Sequence, residues 1–422
     1  MRKLAILGGP SAFAEALHVG RPNMGDKTRL MQRIQAIVDG GWLTNRGPSV
    51  VEFERQVGEL IGVKHCIAVC NATVGLEIAI RAAGLRGEVI VPSYTFIATA
   101  HALQWQEITP VFCDIDPASH NIDPKLVARI ITPRTTGLIG VHVWGRPCDV
   151  DALQDIADHY ELTLLFDAAH AFNCSHKGRM IGTFGKAEVF SFHATKVINT
   201  FEGGAIVTND DQLAGRARLM QNFGFRGYDD VVELGTNGKM SEVAAAMGLN
   251  GLEAINGLVA KNHANYEAYL SCLGAVPGLS LIPYDHREKN NYHYVVAEID
   301  EGESALSRDE LIAVLHAENV LARMYFWPGC HNMMPYKRLF PDAGILLPAT
   351  EALAGRVMVL PTGTDVGEAD VATIGRIIGE ALANAREVRL ALKNSPLLSA
   401  PHSLISKFDA RFPRFDPSRR IL

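Results

Sequence analysis

Short apolar segments recur along this chain at intervals that only a helix or loop can bridge. That alternation constrains the fold more than any other feature. Cys66–Val69, Glu88–Pro92, Pro110–Asp114, Gly137–Val143 and Leu162–Phe166 read as strands. Between them, Val74–Ala83, Ile97–Leu103, Asp123–Ile131 and Val150–His159 have helical spacing. Strands and helices alternating in this way predict an α/β fold with a largely parallel sheet and crossover helices. Sheets of this kind take ligands at the carboxyl ends of their strands. Thr73, Phe96, Asp167 and Lys196 all follow or end predicted strands.

The stretch EVFSFHATKVINTFEGGAIVTN, Glu188 to Asn209, holds the most telling of these residues. An apolar run, Val189–Phe192, meets a polar turn that carries Lys196, and Ala205–Thr208 reads as a second short strand. An ammonium held between buried strands tends to shed its proton, which suits an amine that attacks a carbonyl. A lysine on an exposed loop is the plainer reading. Asp167 follows Leu-Leu-Phe directly, so an acid there is partly buried and needs a partner, unless it only caps the next helix. Asn71-Ala72-Thr73 opens a helix whose free N–H groups suit a phosphate, or Asn and Thr simply cap it.

The flanks give less. Thr28–Val38 is a predicted helix, and Ser49 is read as the cap of a second one, Val50–Ile61. Residues 1–25 are Gly- and Pro-marked and are expected to wander over the core surface. A large domain is expected over 26–263, with a smaller α+β domain over 264–392. That second part shows strands at Leu279–Ile282 and Tyr292–Ile299, a helix at Arg308–Glu318 and a closing helix at Asp370–Val388. A Ser-, Pro- and Arg-rich tail is expected over 393–422.

Composition narrows the class. Of 422 residues, 48% are hydrophobic and 20% charged, which is globular and leaves ample core. A net charge of −6 does not indicate a nucleic-acid surface. Seven cysteines, an odd number without CxxC spacing, argue against a zinc site or disulfide framework and fit a reducing cytoplasm. No signal peptide or membrane span is read.

SFHATK followed by EGGA resembles the sugar aminotransferases often called the DegT/DnrJ/EryC1/StrS family. The resemblance runs from about Gly20 to about Gly363, with WLTNRGP, FDAAHA, TNGKMSE and PTG blocks in the family's order. It implies the fold type I architecture of aspartate aminotransferase and a pyridoxal 5'-phosphate (PLP) cofactor held as a Schiff base on Lys196. It implies that Asp167 pairs with the pyridine nitrogen and keeps the ring an electron sink. Ala72, Thr73 and Ser191 would bind the phosphate. Phe96 would stack on the ring, with Tyr94 as second candidate, and His170 would lie near the phenolic oxygen. Asn237 would reach the phosphate of a neighbouring subunit, which makes a homodimer with shared sites the functional unit. His193 is a candidate substrate residue. Arg323, Tyr325 and His331 lie in RMYFWPGCH, which reads either as a lid over a nucleotide sugar or as a strand end with exposed aromatics.

The activity so implied is transfer of an amino group from L-glutamate to a keto sugar nucleotide. Within the family, NATVGLEIA, FDAAHA, SFHATKVINTFEGGA, TNGKMSEVAAAMGL and YFWPGCH resemble the branch that aminates C4 of dTDP-4-keto-6-deoxyglucose, as in the desosamine pathway. Amination at C3 of a 3-keto-deoxysugar nucleotide is the close alternative. A dehydratase of this fold carries histidine in place of Lys196. A non-catalytic regulator need not retain Asp167, Ser191 and Lys196 together. An NAD-linked enzyme lacks support, because no GxGxxG follows an early strand.

Overall fold

The computed structural model describes residues 3–393. A two-residue strand, β1 (Leu17–His18), precedes the central sheet. That sheet is built from β2 (His65–Val69), β3 (Glu88–Pro92), β4 (Thr109–Cys113), β5 (Thr135–Val141) and β6 (Thr163–Asp167). A small hairpin, β7 (Ser175–His176) and β8 (Arg179–Met180), interrupts it before β9 (Ala187–Ser191) and β10 (Gly204–Thr208). The order is β2-β10-β9-β6-β5-β3-β4. All neighbours run parallel except β10, which opposes both β2 and β9. The reason is chain length. Residues 192–203 form too short a connection for a parallel crossover, so they can only turn β9 back on itself. That hairpin carries Lys196.

Successive strand residues enter different cores, which is why the strands read as continuous apolar runs. Ala68, Phe166, Phe190 and Ala205 join one buried cluster, and Ile67, Leu165, Val189 and Ile206 join another. Glu188 is the exception inside β9. It is fully buried, and its carboxylate accepts the N–H groups of Gly182 and Phe184, both at 2.7 Å.

Helices α1 (Lys27–Gly40), α2 (Pro48–Ile61), α3 (Ala72–Ala82) and α4 (Ala98–Gln104) fall close to their predicted positions. Asp26 caps α1, accepting the N–H of Arg29. Ser49 is not the cap of α2. Gly47 occupies that place with Pro48 in the first turn, because proline has no N–H to leave unpaired there. The helix expected over Asp123–Ile131 shrinks to Pro124–Val127.

One helix, Glu242–Leu273, absorbs both the Ala-rich helix and the later helical stretch, and it runs through position 263/264. It is long and apolar enough to cross a membrane, but 56% of its most apolar window is buried inside the protein. Beyond it, Leu279–Leu281, Val295–Ile299 and Val357–Leu360 form a three-stranded antiparallel sheet. Arg308–Ala317 and Glu368–Ala383 pack in the same buried cluster. The closing helix breaks at Asn384 and resumes as Ala385–Lys393. Within residues 3–25, β1 pairs in parallel with Val320–Leu321, and Glu318 accepts the N–H groups of Ala5 and Ala12. Of the tail expected over 393–422, residues 394–422 lie outside the described residues.

Candidate active site

The Lys196 hairpin is pinned before it reaches the site. Phe192 is buried with its ring edge-on to Phe53 and Phe172, at 5.3 and 5.1 Å. The Phe192 N–H donates to the Gly203 carbonyl, and the Thr200 N–H donates back to the Phe192 carbonyl at 2.8 Å. The N–H of Lys196 donates to His193 at 2.9 Å, closing a turn. The N-terminal segment braces the far side. The Asn23 side-chain amide donates to the Val197 carbonyl at 2.9 Å, and the Asn199 side-chain amide donates back to the Asn23 carbonyl at 2.8 Å.

The Lys196 amine ends 3.3 Å from the hydroxyl of Tyr294 and donates to it. Burial strips water from the amine and lowers its pKa from 10.5 to about 8, with Asp167 pulling the other way. Asp167 ends β6 and is buried. One carboxylate oxygen accepts the Thr99 hydroxyl at 2.8 Å, the other the Ala169 N–H at 3.0 Å. Burial raises its pKa, offset by those two bonds and then by Lys196. An acid in this position is stabilised by any cation placed beside it.

His170 faces the same amine. Its Nδ1 accepts the backbone N–H of Trp144 at 3.2 Å, so the ring is neutral with its proton on Nε2. Burial and the nearby Lys196 and His293 push its pKa well below the ordinary value. Trp144 is fully buried. It stacks on His170 at 6.0 Å, on Phe326 at 5.0 Å and on Tyr325 at 6.5 Å.

A second group of predicted residues gathers where β9 and β10 meet α3. Ser191 ends β9 and pairs in register with Gly204. A side chain at Gly204 would lie 2.9 Å from the Ala72 nitrogen and 2.8 Å from the Phe190 carbonyl. Glycine therefore brings β10 against the first turn of α3. Ala72 and Thr73 open that helix, and Asn71 caps it through the Val74 N–H at 2.9 Å. Glycine in EGGA is a packing requirement of a helix N-terminus beside a strand end.

Phe96, 57% exposed, lines a groove of about 250 Å³ together with Arg323, Tyr325, Phe326 and Trp327. The Arg323 guanidinium lies over the Tyr325 ring at 5.0 Å. Tyr94, the second candidate for ring stacking, is fully buried and donates to the Tyr325 carbonyl at 2.8 Å, so it is core. His331 is buried, with one ring nitrogen 2.6 Å from Ser93 and the other 2.8 Å from Glu351. His193 turns to the Thr195 hydroxyl at 2.8 Å and to Glu202 at 3.6 Å. Asn237 is exposed, in a bridge to Asn222, and the carbonyl of the next residue, Gly238, accepts the Cys70 N–H.

Sequence reasoning missed four residues at the centre: Thr99, Trp144, His293 and Tyr294. His293 donates to the Thr195 carbonyl at 2.7 Å, and burial lowers its pKa to about 4. The signal was the polar and aromatic run NNYHY, read only as a strand start.

A buried lysine on the β9–β10 hairpin, a buried acid ending β6 and a helix N-terminus beside them define a PLP-dependent aminotransferase of fold type I. The chain belongs to the DegT/DnrJ/EryC1/StrS aminotransferase family, whose profile matches residues 25–379. It is 35% identical over 367 residues to the dTDP-4-amino-4,6-dideoxy-D-glucose transaminase of Escherichia coli, covering 86% of this chain and 98% of that one. GDP-perosamine synthase of Caulobacter vibrioides is 35% identical over 346 residues, 79% and 90% of the two chains. Among solved structures, DesI in the presence of its TDP-sugar product has a TM-score of 0.88 at 49% identity, over 92% of this chain and 99% of that one. The protein is a sugar-nucleotide aminotransferase.

Proposed function

We propose that the protein transfers an amino group from L-glutamate to dTDP-4-keto-6-deoxy-D-glucose, giving dTDP-4-amino-4,6-dideoxy-D-glucose. The observation that carries the reading is the Lys196 amine, desolvated and opposed by Asp167, in a chain similar to DesI over nearly its whole length. The names of the relatives support the sugar, since the Escherichia coli enzyme is named for a 4-amino sugar.

The residues present fit PLP. Lys196 is an amine that can lose its proton near neutral pH. Asp167 is a buried acid stabilised by a cation. Thr73 and Ser191 offer hydroxyls beside the free N–H groups of α3. When bound, PLP supplies the electron sink for the substrate carbon. Lys196 would accept and return the proton on that carbon, a contribution of about 10²–10⁴-fold. Asp167 would hold the cofactor's ring nitrogen cationic. His170 would keep its Nε2 proton toward the ring oxygen, and Phe96 would cover the ring. Arg323 and Tyr325 would take the nucleotide, with His193 and His331 at the edges of the substrate site.

We further propose a homodimer in which Asn237 serves the neighbouring site. Its exposure supports this, as do the exposed Trp42, Phe223, Phe225, Tyr228 and Leu234 on the loops around it. The sugar is tested by supplying the glutamate-treated enzyme with dTDP-4-keto-6-deoxyglucose and a 3-keto isomer, with the products read by NMR. A 4-amino product is expected. Turnover confined to the 3-keto sugar contradicts the assignment.

A further inference from the structure

Tyr294 belongs to none of the motifs that marked the site, yet its hydroxyl is the group the Lys196 amine meets, at 3.3 Å. The phenol is buried, and desolvation holds it protonated far above its ordinary range. It therefore neither supplies nor removes a proton at working pH. It can only orient.

The ring that carries this hydroxyl is held from several sides. His170 packs against it at 4.4 Å and Trp144 at 5.5 Å, with His293 edge-on at 5.1 Å. Trp144 is fixed in turn. Its indole N–H donates to His120 Nδ1 at 3.1 Å, so the proton of His120 sits on Nε2, which donates to Glu298 at 2.8 Å. A chain of bonds thus runs from Glu298 to the ring that backs Tyr294. Nothing in the packing alone requires a hydroxyl on it, since phenylalanine has the same ring.

We propose that Tyr294 is a positioning residue, whose hydroxyl holds the free amine of Lys196 by accepting one of its N–H bonds. A flexible four-carbon side chain must return to one place after each release. An oriented acceptor confines it, and misplacement of a reacting group by about 1 Å can cost about 10²-fold. The inference rests on the reading of Lys196 as the working amine.

The groups facing that amine are Asp167 from β6, His170 just beyond it, and His293 and Tyr294 from the strand start. Both neutral imidazoles stay neutral through the range where the amine titrates. An acceptor stabilises an ammonium more than an amine, and phenylalanine is drier than tyrosine. Both effects lower the Lys196 pKa when the hydroxyl is removed.

The test is Tyr294→Phe in the full-length chain. Competitive labelling with acetic anhydride, read by mass spectrometry on the Lys196 peptide after PLP is stripped, gives the amine's pKa without turnover. The wild type should titrate near 8, and the variant about one pH unit lower. In the loaded enzyme the L-glutamate half-reaction should slow about 10-fold or more in kcat with little change in KM. Near-UV circular dichroism checks that the ring cluster has kept its packing. If it has not, His120→Leu, which removes the acceptor of the Trp144 indole N–H, should produce a smaller kcat loss of the same kind. An unchanged Lys196 pKa and unchanged kcat in a folded Tyr294→Phe overturn the inference. A wild type that does not respond to glutamate instead overturns the aminotransferase reading.

Discussion

At the scale of single residues, the chemistry depends on what burial does to charge. Lys196 pays for its position: a pKa of about 8 against an ordinary 10.5 means that the folded chain holds an unwelcome ammonium at pH 7. The sign follows from proton counting. Below about 8 both folded and unfolded chains are protonated and the cost is full. Between about 8 and 10.5 the unfolded chain binds the extra proton, so stability rises with pH. Lys196→Met in the PLP-free protein should therefore be more stable than wild type at pH 7, by up to ~3 kcal/mol at ~1.4 kcal/mol per pH unit. Urea unfolding should show that gap closing toward pH 10. A gap that does not change with pH would place the lysine in water. His293, neutral because it is dry, adds a trend of the same sign at lower pH, since there too the unfolded chain binds the extra proton. Its contribution is present above about 6.5 and is lost as pH falls through about 4.

At the scale of elements, the strand–helix alternation was legible because strands buried on both faces read as unbroken apolar runs. Lys196, Asp167 and Thr73 were legible for the same reason, as polar residues set just past or at the ends of those runs. The antiparallel course of β10 was not, since nothing in Ala205–Thr208 itself records direction; the short loop before it does. Ser49 failed as a cap because Pro48 had already taken the first turn. The long helix was split in expectation, because its middle lacks a continuous apolar stripe. Tyr294 and Trp144 were invisible for a different reason. Their role comes from contacts between distant parts of the chain, such as the one across 98 residues from Lys196 to Tyr294, and an aromatic side chain near a strand reads as core.

The contact between β10 and α3 is the element most open to a direct test. Gly204→Val would drive side-chain atoms into the Ala72 backbone, where the missing Cβ would already sit at 2.9–3.0 Å. We expect a loss of about 1–3 kcal/mol in urea unfolding and weaker PLP retention. Gly215→Ala is the control. That helical site is open, with nothing within 4 Å, and should be neutral or gain about 1 kcal/mol. If Gly204→Val retains PLP as the wild type does, the strand–helix junction is not where the phosphate sits.

At the scale of the whole molecule, the central sheet positions the lysine, the acid and the helix N-terminus. The sheet around Val295–Ile299 supplies Tyr294 from one side. The site is therefore assembled between parts of the chain far apart in sequence. We expect its completion to come from a second copy. Asn237→Ala should weaken PLP retention without altering the stability of the chain, measured by dialysis against buffer and by thermal melting. Retention equal to wild type would remove Asn237 from the neighbouring site.

The most direct test of the central claim is the visible spectrum of the purified protein with PLP, recorded before and after L-glutamate. The lysine-bound cofactor should give its visible band, and glutamate should convert it to the amine form with release of one 2-oxoglutarate per site. Lys196→Ala should show neither. A wild-type protein that shows no lysine-bound band at saturating PLP would contradict the account, because Lys196 would then not be the anchor.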